Sequence, residues 1–316
     1  MSVLKFFKTI EGKIEQLKRE EPGCWVMAVH PTADELQYMH SSMGLDHDFL
    51  SASLDEEEIS RTEKEEEQTF VVVDVPYQVE KDEDDVEDQS VVFTTIPLGI
   101  IITPDYFVTI STKQCGLLDN LASGVVRGVQ TKMHTRFLLM ILLRIAQRFL
   151  VHLKQIEKIA GSMESQMHTS MKNEALIQLM GLQKSLVYIS TSLRANEATL
   201  KRISRGNLLT LYEDDEDLMQ DVLIEIHQAM EMSEIYGNIL SSTMDAYASI
   251  ISNNLNIVMK VLTSVTVLMT IPTMVFSYYG MNVSGLQMPV WWFPTFISLF
   301  LALIAIFILV KFKMFK

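Results

Sequence analysis

The sequence predicts an α+β soluble domain, a long α-helical stalk and two C-terminal transmembrane helices. Three patterns carry that expectation: β-rich runs in the first third, helical periodicity from about Thr135 onward, and two charge-free apolar spans at the end. The chain has 316 residues, room for more than one domain. Acidic side chains outnumber basic ones 40 to 26, a formal charge of −14, yet 48% of residues are hydrophobic and mean hydropathy is +0.18. The apolar residues must therefore be concentrated. No Asp or Glu follows Val261, so residues 1–260 carry a net −17. Such a body has no basic nucleic-acid footprint and raises the local concentration of cations. Cys24 and Cys115 are too few for a disulfide framework or a cysteine-built zinc site, which points to a reducing compartment. The N-terminus turns polar after seven residues and lacks the apolar core of a cleaved signal peptide.

Residues 1–130 read as a small α/β domain on the cytoplasmic side. Cys24–His30, Thr69–Val75, Val91–Ile102 and Tyr106–Ser111 are strand-like runs bounded by turn residues. Pro31–Ser42 opens PTADEL, a helix start. Acidic runs at 55–58, 63–67 and 80–88 read as solvated connections. The last looks superficially like a calcium loop but lacks the turn glycine and terminal Glu that such a loop needs.

Residues 131–258 read as a helical stalk. Phe137–Ile159 and Asn173–Arg205 are long amphipathic stretches, and a third helix starts near Glu213. Its opening, YEDDED at Tyr212–Asp217, places negative charge at a helix N-terminus, where the dipole favours it. The helix continues to Tyr279, a length on the order of 95–100 Å.

The first span is 259–279, with Val261–Tyr279 uncharged; the second is 291–311, with Trp291–Val310 uncharged. Twenty helical residues cover about 30 Å, the hydrocarbon thickness of a bilayer. Tyr278, Tyr279, Trp291 and Trp292 flank the 280–290 linker as interface aromatics do. Lys260 precedes the first span, Lys311 follows the second, and the 312–316 tail adds Lys313 and Lys316. These basic residues form a collar on one side, and the linker is uncharged. Both chain ends are therefore expected in the cytoplasm, with the linker outside a cell membrane crossed twice.

A polar stripe runs along the long helix. Asp245, Ser249, Ser252, Asn256, Met259, Thr263, Thr266, Thr270, Thr273 and Ser277 follow one another by alternating steps of four and three, a mean of about 3.5. Six Ser or Thr lie between 261 and 277, and Ser264 alone is off the stripe. Hydroxyls in a span face other helices or water. Two readings stand at this point. The stripe is a close-packed helix seam, or copies of the helix surround a hydrated axial pore in a symmetric ring of chains. Pro272 inside the span weakens the local helix ladder.

The tetrapeptide Tyr279-Gly280-Met281-Asn282, at the end of the first of two C-terminal spans, resembles the signature of the CorA family of magnesium channels. The run Met244–Thr263 is also similar to that family's pore-helix start. The resemblance implies a funnel-shaped homopentamer with one long pore helix per subunit, passing divalent cations. It implies that Gly280, Met281 and Asn282 form an outer ring that selects hydrated Mg2+. Asp245 and Asn256 would be polar rings at the cytoplasmic mouth. Met259 and Leu262 would be hydrophobic constrictions. Thr263, Thr266, Thr270, Thr273 and Ser277 would line the path between. Asp221 matches an aspartate that holds regulatory Mg2+ between neighbouring subunits, so Mg2+ would be both substrate and gating ligand. Two departures stand out. Met288-Pro289 is followed by Val290, where many members place an acid, and Thr270 stands where many place a bulky apolar residue.

Rival readings are a Zn2+, Co2+ or Ni2+ transporter of the same fold, and a membrane-anchored coiled-coil scaffold. The seven histidines lie outside the spans and make no close ligand pair in sequence. No P-loop, HExxH, GxSxG or dinucleotide fingerprint occurs, so the chain is not expected to be an enzyme.

Overall fold

The chain opens with a hairpin. Strand β1 (Leu4–Ile10) pairs antiparallel with β2 (Lys13–Leu17), and Glu11-Gly12 turns between them with φ of +51° and +77°. That left-handed pair matches the twist of the strands it joins. The structure, a computed structural model, describes residues 4–79, 93–169, 173–205, 208–209, 211–281, 290 and 292–312. The acidic run at 80–88, Asn282, Lys313 and Lys316 lie outside the described residues.

Five further strands complete one sheet: β3 (Cys24–Val29), β4 (Arg61–Glu65), β5 (Gln68–Gln78), β6 (Phe93–Ile102) and β7 (Tyr106–Ser111). Their order is β2-β1-β3-β7-β6-β5-β4. Among the described strands β3 and β7 form the one parallel pair, with Trp25 opposite Phe107. The rest is antiparallel, so the domain is α+β in the strict sense, not a βαβ repeat. The runs expected as strands are the central ones. They are apolar on both faces because helices cover both.

On one face lie α1 (Ala33–Met43) and α2 (His47–Ala52). Thr32 and Glu35 form a reciprocal capping box on α1, and Gly44 ends it at φ +69°. Met39, Met43, Phe49 and Leu50 pack there on Val26, Phe70, Val72 and Val108. Gly99 on β6 admits Ser53 so closely that an added Cβ would fall 2.1 Å from its Oγ. On the other face lie α4 (His134–Thr169) and α5 (Asn173–Ser204), while α3 (Gly116–Ala122) precedes them. Phe137 of α4 packs tilted against Phe107, with ring centroids 4.6 Å apart, and meets Trp25 edge-on at 5.3 Å. Asn196 of α5 binds the backbone of Asp74 beyond the end of β4. Its Nδ2 donates to Asp74 O at 2.8 Å, and its Oδ1 accepts from Asp74 N at 2.8 Å and from Ser60 Oγ at 3.0 Å.

Two expectations need correction. The 63–67 run is the β4–β5 hairpin, with Glu66 turning at φ +49° and Lys64 opposite Thr69, not a loose connection. Edge strands are short and charged because they face water, and the same chemistry disguises them in sequence. The stalk helix expected at Phe137–Ile159 is α4, which starts about one turn earlier, at His134, and runs on to Thr169.

Helix α6 (Glu213–Tyr279) is continuous through Pro272, and α7 (Trp292–Lys311) follows the 280–291 connection. The chain divides into two compact units, Met1–Ser241 and Ser242–Lys316. In the first unit, the acidic opening of α6 has a structural task. Asp215 is 3% exposed, lies 3.5 Å from Arg136 of α4 and accepts from Tyr212 N. Farther along, α6 buries Met219, Val222, Ile226, Ala229 and Ser233, a helical face. Tyr236 donates to Glu157 of α4 at 2.7 Å, and His227 lies 3.1 Å from Glu197 of α5.

Candidate functional site: an oxygen-bearing face of the long helix

The second unit consists of the distal part of α6 and the α7 segment. Both hold helices long and apolar enough to cross a membrane, and their apolar side chains are mostly exposed. Such exposure would be untenable in water and is ordinary in lipid.

One face of distal α6 is covered within the unit. Ser264 is fully buried, Leu268, Ile271, Val275 and Tyr279 are partly so, and the Tyr279 ring meets Phe293 of α7 at 6.2 Å. These positions recur by fours and threes. The stripe positions Thr266, Thr270, Thr273 and Ser277 each come two residues after a covered one. At 3.6 residues per turn, two residues are about 200° apart, so the stripe lies on the opposite side. Asp245, Asn256, Met259, Leu262 and Thr263 are likewise exposed in the single chain. Ser264, the hydroxyl that breaks the sequence stripe, is the one the structure buries.

The hydroxyls have a common geometry. Thr266 Oγ1 donates to Leu262 O at 2.8 Å, Thr270 Oγ1 to Thr266 O at 2.8 Å, and Thr273 Oγ1 to Met269 O at 2.9 Å. Ser249 does the same to Asp245 O at 3.0 Å. Each hydroxyl proton is spent on the helix's own backbone, so the outward side of each oxygen offers lone pairs only. A face of acceptors receives hydrogen bonds from water bound to a cation, whose protons point outward.

At the far end of α6 the helix stops at Tyr279. Gly280 N donates to Phe276 O at 2.9 Å, and Met281 N donates to Tyr278 O. A Cβ on Gly280 would stand 3.1 Å from Phe276 O, tighter than ordinary contact, so glycine suits this close turn. Gly280 and Met281 are exposed; Asn282 lies outside the described residues, so the structure does not join it to them. Lys260 is exposed on α6 and Lys311 closes α7.

Asp221 is exposed on α6 in the first unit. Among the described residues no group of three or more His, Cys, Asp or Glu side chains is placed to hold a metal. The sequence reading missed that His40 and His47, seven residues apart, bring their rings within 5.9 Å across the α1–α2 turn. It also missed His152 and His134, whose burial pushes both imidazoles below their ordinary value, His152 down to about 4 with the Arg148 charge adding to the effect. Their place on the buried face of α4 was the available signal.

The family model for CorA-like Mg2+ transporter proteins matches residues 20–316. The cobalt/magnesium transport protein CorA of Methanocaldococcus jannaschii is 28% identical over 293 residues, covering 91% of this chain and 89% of that protein. The cobalt/magnesium transport protein CorA of Thermotoga maritima is 25% identical over 220 residues, covering 65% of this chain and 62% of that protein. The complete structure of the M. jannaschii CorA magnesium transporter superposes with a TM-score of 0.80 at 24% identity, covering 99% of this chain and 97% of that one.

Proposed function

We propose that this chain, which belongs to the CorA-like Mg2+ transporter family, forms a homopentameric channel for passive Mg2+ influx across the cell membrane. The family are transporters, not enzymes, and its members are membrane-embedded; the channel mechanism, the pentamer and the gating are our reading. The observation that carries it is the acceptor-only face of α6, turned away from the side covered within the chain. Five such faces around an axis make a tube lined with oxygens. Magnesium dehydrates reluctantly, so a path that binds its water shell avoids the cost of stripping it.

The residues take roles along that tube. Gly280, Met281 and Asn282 form the outer selecting ring. Thr263, Thr266, Thr270, Thr273 and Ser277 line the midsection. Met259 and Leu262 narrow it and gate by dewetting, and Asn256 and Asp245 open into the cytoplasmic mouth. Lys260, Lys311, Lys313 and Lys316 hold both chain ends on the cytoplasmic side. Asp221 meets Mg2+ shared with a neighbouring subunit. The absence of a three-ligand group among the described residues of one chain is consistent with ligands contributed by two. When internal Mg2+ falls, the −17 body repels itself across the subunit boundaries and the closed ring loosens.

Co2+ is the second ion, named for the two relatives, and an oxygen-lined path that keeps the water shell admits it. The test is ion uptake into liposomes holding the full-length protein, comparing Mg2+ with Co2+, Ni2+ and Zn2+. Saturable Mg2+ flux is expected, lost in Asn282→Ala and released from internal Mg2+ inhibition in Asp221→Asn. Mg2+ flux indifferent to Asn282 sinks the selecting ring; an unchanged inhibition curve removes Asp221 from gating.

A further inference from the structure

Helices α1 and α2 meet at a tight turn that carries a histidine on each side. His40 lies in the last turn of α1, and His47 opens α2. Between them Gly44 reverses the chain at φ +69°, and buried Leu45 pins the turn to the core. Gln68 of β5 clamps the same turn from the sheet. Its Nε2 donates to Gly44 O at 2.9 Å, and its Oε1 accepts from Asp46 N at 3.1 Å. Asp46 then caps α2, accepting from Asp48 N at 2.7 Å and from Phe49 N at 3.3 Å. Phe49 stacks on Phe70 beneath, with ring centroids 4.7 Å apart. The backbone under both histidines is thus held in place, while both residues are exposed.

The two rings meet with centroids 5.9 Å apart and planes at 87°. Their surroundings set the tautomers. His40 Nδ1 lies 2.8 Å from Leu45 O, which can only accept, so Nδ1 carries the proton and the neutral ring keeps its lone pair on Nε2. A ring N–H held by a backbone carbonyl is the usual support of a metal-ligating histidine. At His47 the Asp48 carboxylate stands 3.8 Å from Nδ1 and favours the proton there, again leaving Nε2 as the lone-pair atom. Two imidazoles that share an ion about 2.1 Å from each nitrogen hold their centroids roughly 4.6–5.3 Å apart. The His47 side chain is 74% exposed, so a small side-chain rotation closes the remaining distance.

We propose that His40 and His47 chelate a first-row transition cation through their Nε2 atoms, with water filling its other positions. Imidazole nitrogen suits Co2+, Ni2+ and Zn2+, whereas Mg2+ prefers oxygen and is refused. The site is a pair of ligands, distinct from the group of three or more that is missing among the described residues. The −17 carried by residues 1–260 concentrates every divalent cation nearby. The imidazoles add a preference for transition ions that a carboxylate surface lacks. Both histidines belong to the first unit, so binding does not depend on the ion path.

The test is calorimetric titration of the full-length protein in detergent with Ni2+, in a large excess of Mg2+ that fills the oxygen sites. The pH is about 7.5, where imidazole is largely neutral. A class of one saturable Ni2+ per chain is expected. His47→Ala and His40→Ala should each weaken it at least about tenfold, since losing even a hydrogen-bond partner of a ligand costs that much. His47→Ala changes an exposed side chain and leaves the fold intact, which keeps the test valid should His40→Ala, by freeing Leu45 O, unsettle the turn. Absence of saturable Ni2+ binding, its displacement by the Mg2+ excess, or an affinity unchanged in His47→Ala overturns the proposal.

Discussion

Thr273→Val separates a wet path from a dry seam. Valine has the shape of threonine, so packing is preserved and only the oxygen is lost. In the structure the Thr273 proton already goes to Met269 O at 2.9 Å, a bond local to the helix. Its loss leaves that carbonyl in the helical ladder, and the helix should change stability by less than about 0.5 kcal/mol. The effect on conduction is different in scale. One substitution removes a whole ring of acceptors in a symmetric pentamer. A hydrated Mg2+ passing the ring uses two or three of them, each contributing about 1 kcal/mol net. The barrier should rise by about 2–3 kcal/mol, a slowing of roughly 30- to 160-fold. Initial Mg2+ uptake into liposomes, normalised to reconstituted protein, reads this directly. Uptake within twofold of wild type, with the assembly intact, would refute the reasoning, because a packing seam accepts valine at least as well as threonine.

Other consequences concern the first unit. Asn196→Ala strands the backbone N–H and C=O of Asp74, and even with alanine's better helix propensity should cost about 3 kcal/mol; urea unfolding followed through the buried Trp25 measures it. His152 has a folded-state value of about 4, well below the roughly 6.5 of an unfolded histidine. The unfolded chain therefore takes up the proton first, and stability that is complete above pH 6.5 falls away as the pH drops towards 4, by roughly 3 kcal/mol. His152→Phe should remove most of that slope, leaving the part due to His134, whose value burial also lowers; melting temperatures that keep the full slope contradict the assignment.

Periodicity and apolar runs made the long elements legible. The stalk part of α6 reads by its helical period, the two spans by charge-free length, and strands β3, β5, β6 and β7 by unbroken apolar runs between turn residues, because helices cover both faces of the central sheet. The hydroxyl stripe was legible by its period, and the structure adds its direction. Strands β2 and β4 were not, since edge strands are charged and alternate weakly. Short α2 and α3 offer too few turns for a pattern. The Asn196 clamp joins residues 122 positions apart, which no local window shows. The Tyr279–Asn282 motif was read from resemblance, and of it the structure describes the turn at Gly280 and Met281.

Conduction requires the oxygen-bearing side of α6 to face water along a shared axis. Single cysteines placed at 263, 266, 270, 273 and 277, and for contrast at 264, 268, 271 and 275, can be probed in liposomes with a small charged thiol reagent. The native Cys24 and Cys115 are buried and give low background. Labelling that rises and falls with the stripe, and blocks Mg2+ uptake where it occurs, is the predicted result. Labelling confined to the 264, 268, 271 and 275 face, or absent from both, contradicts it.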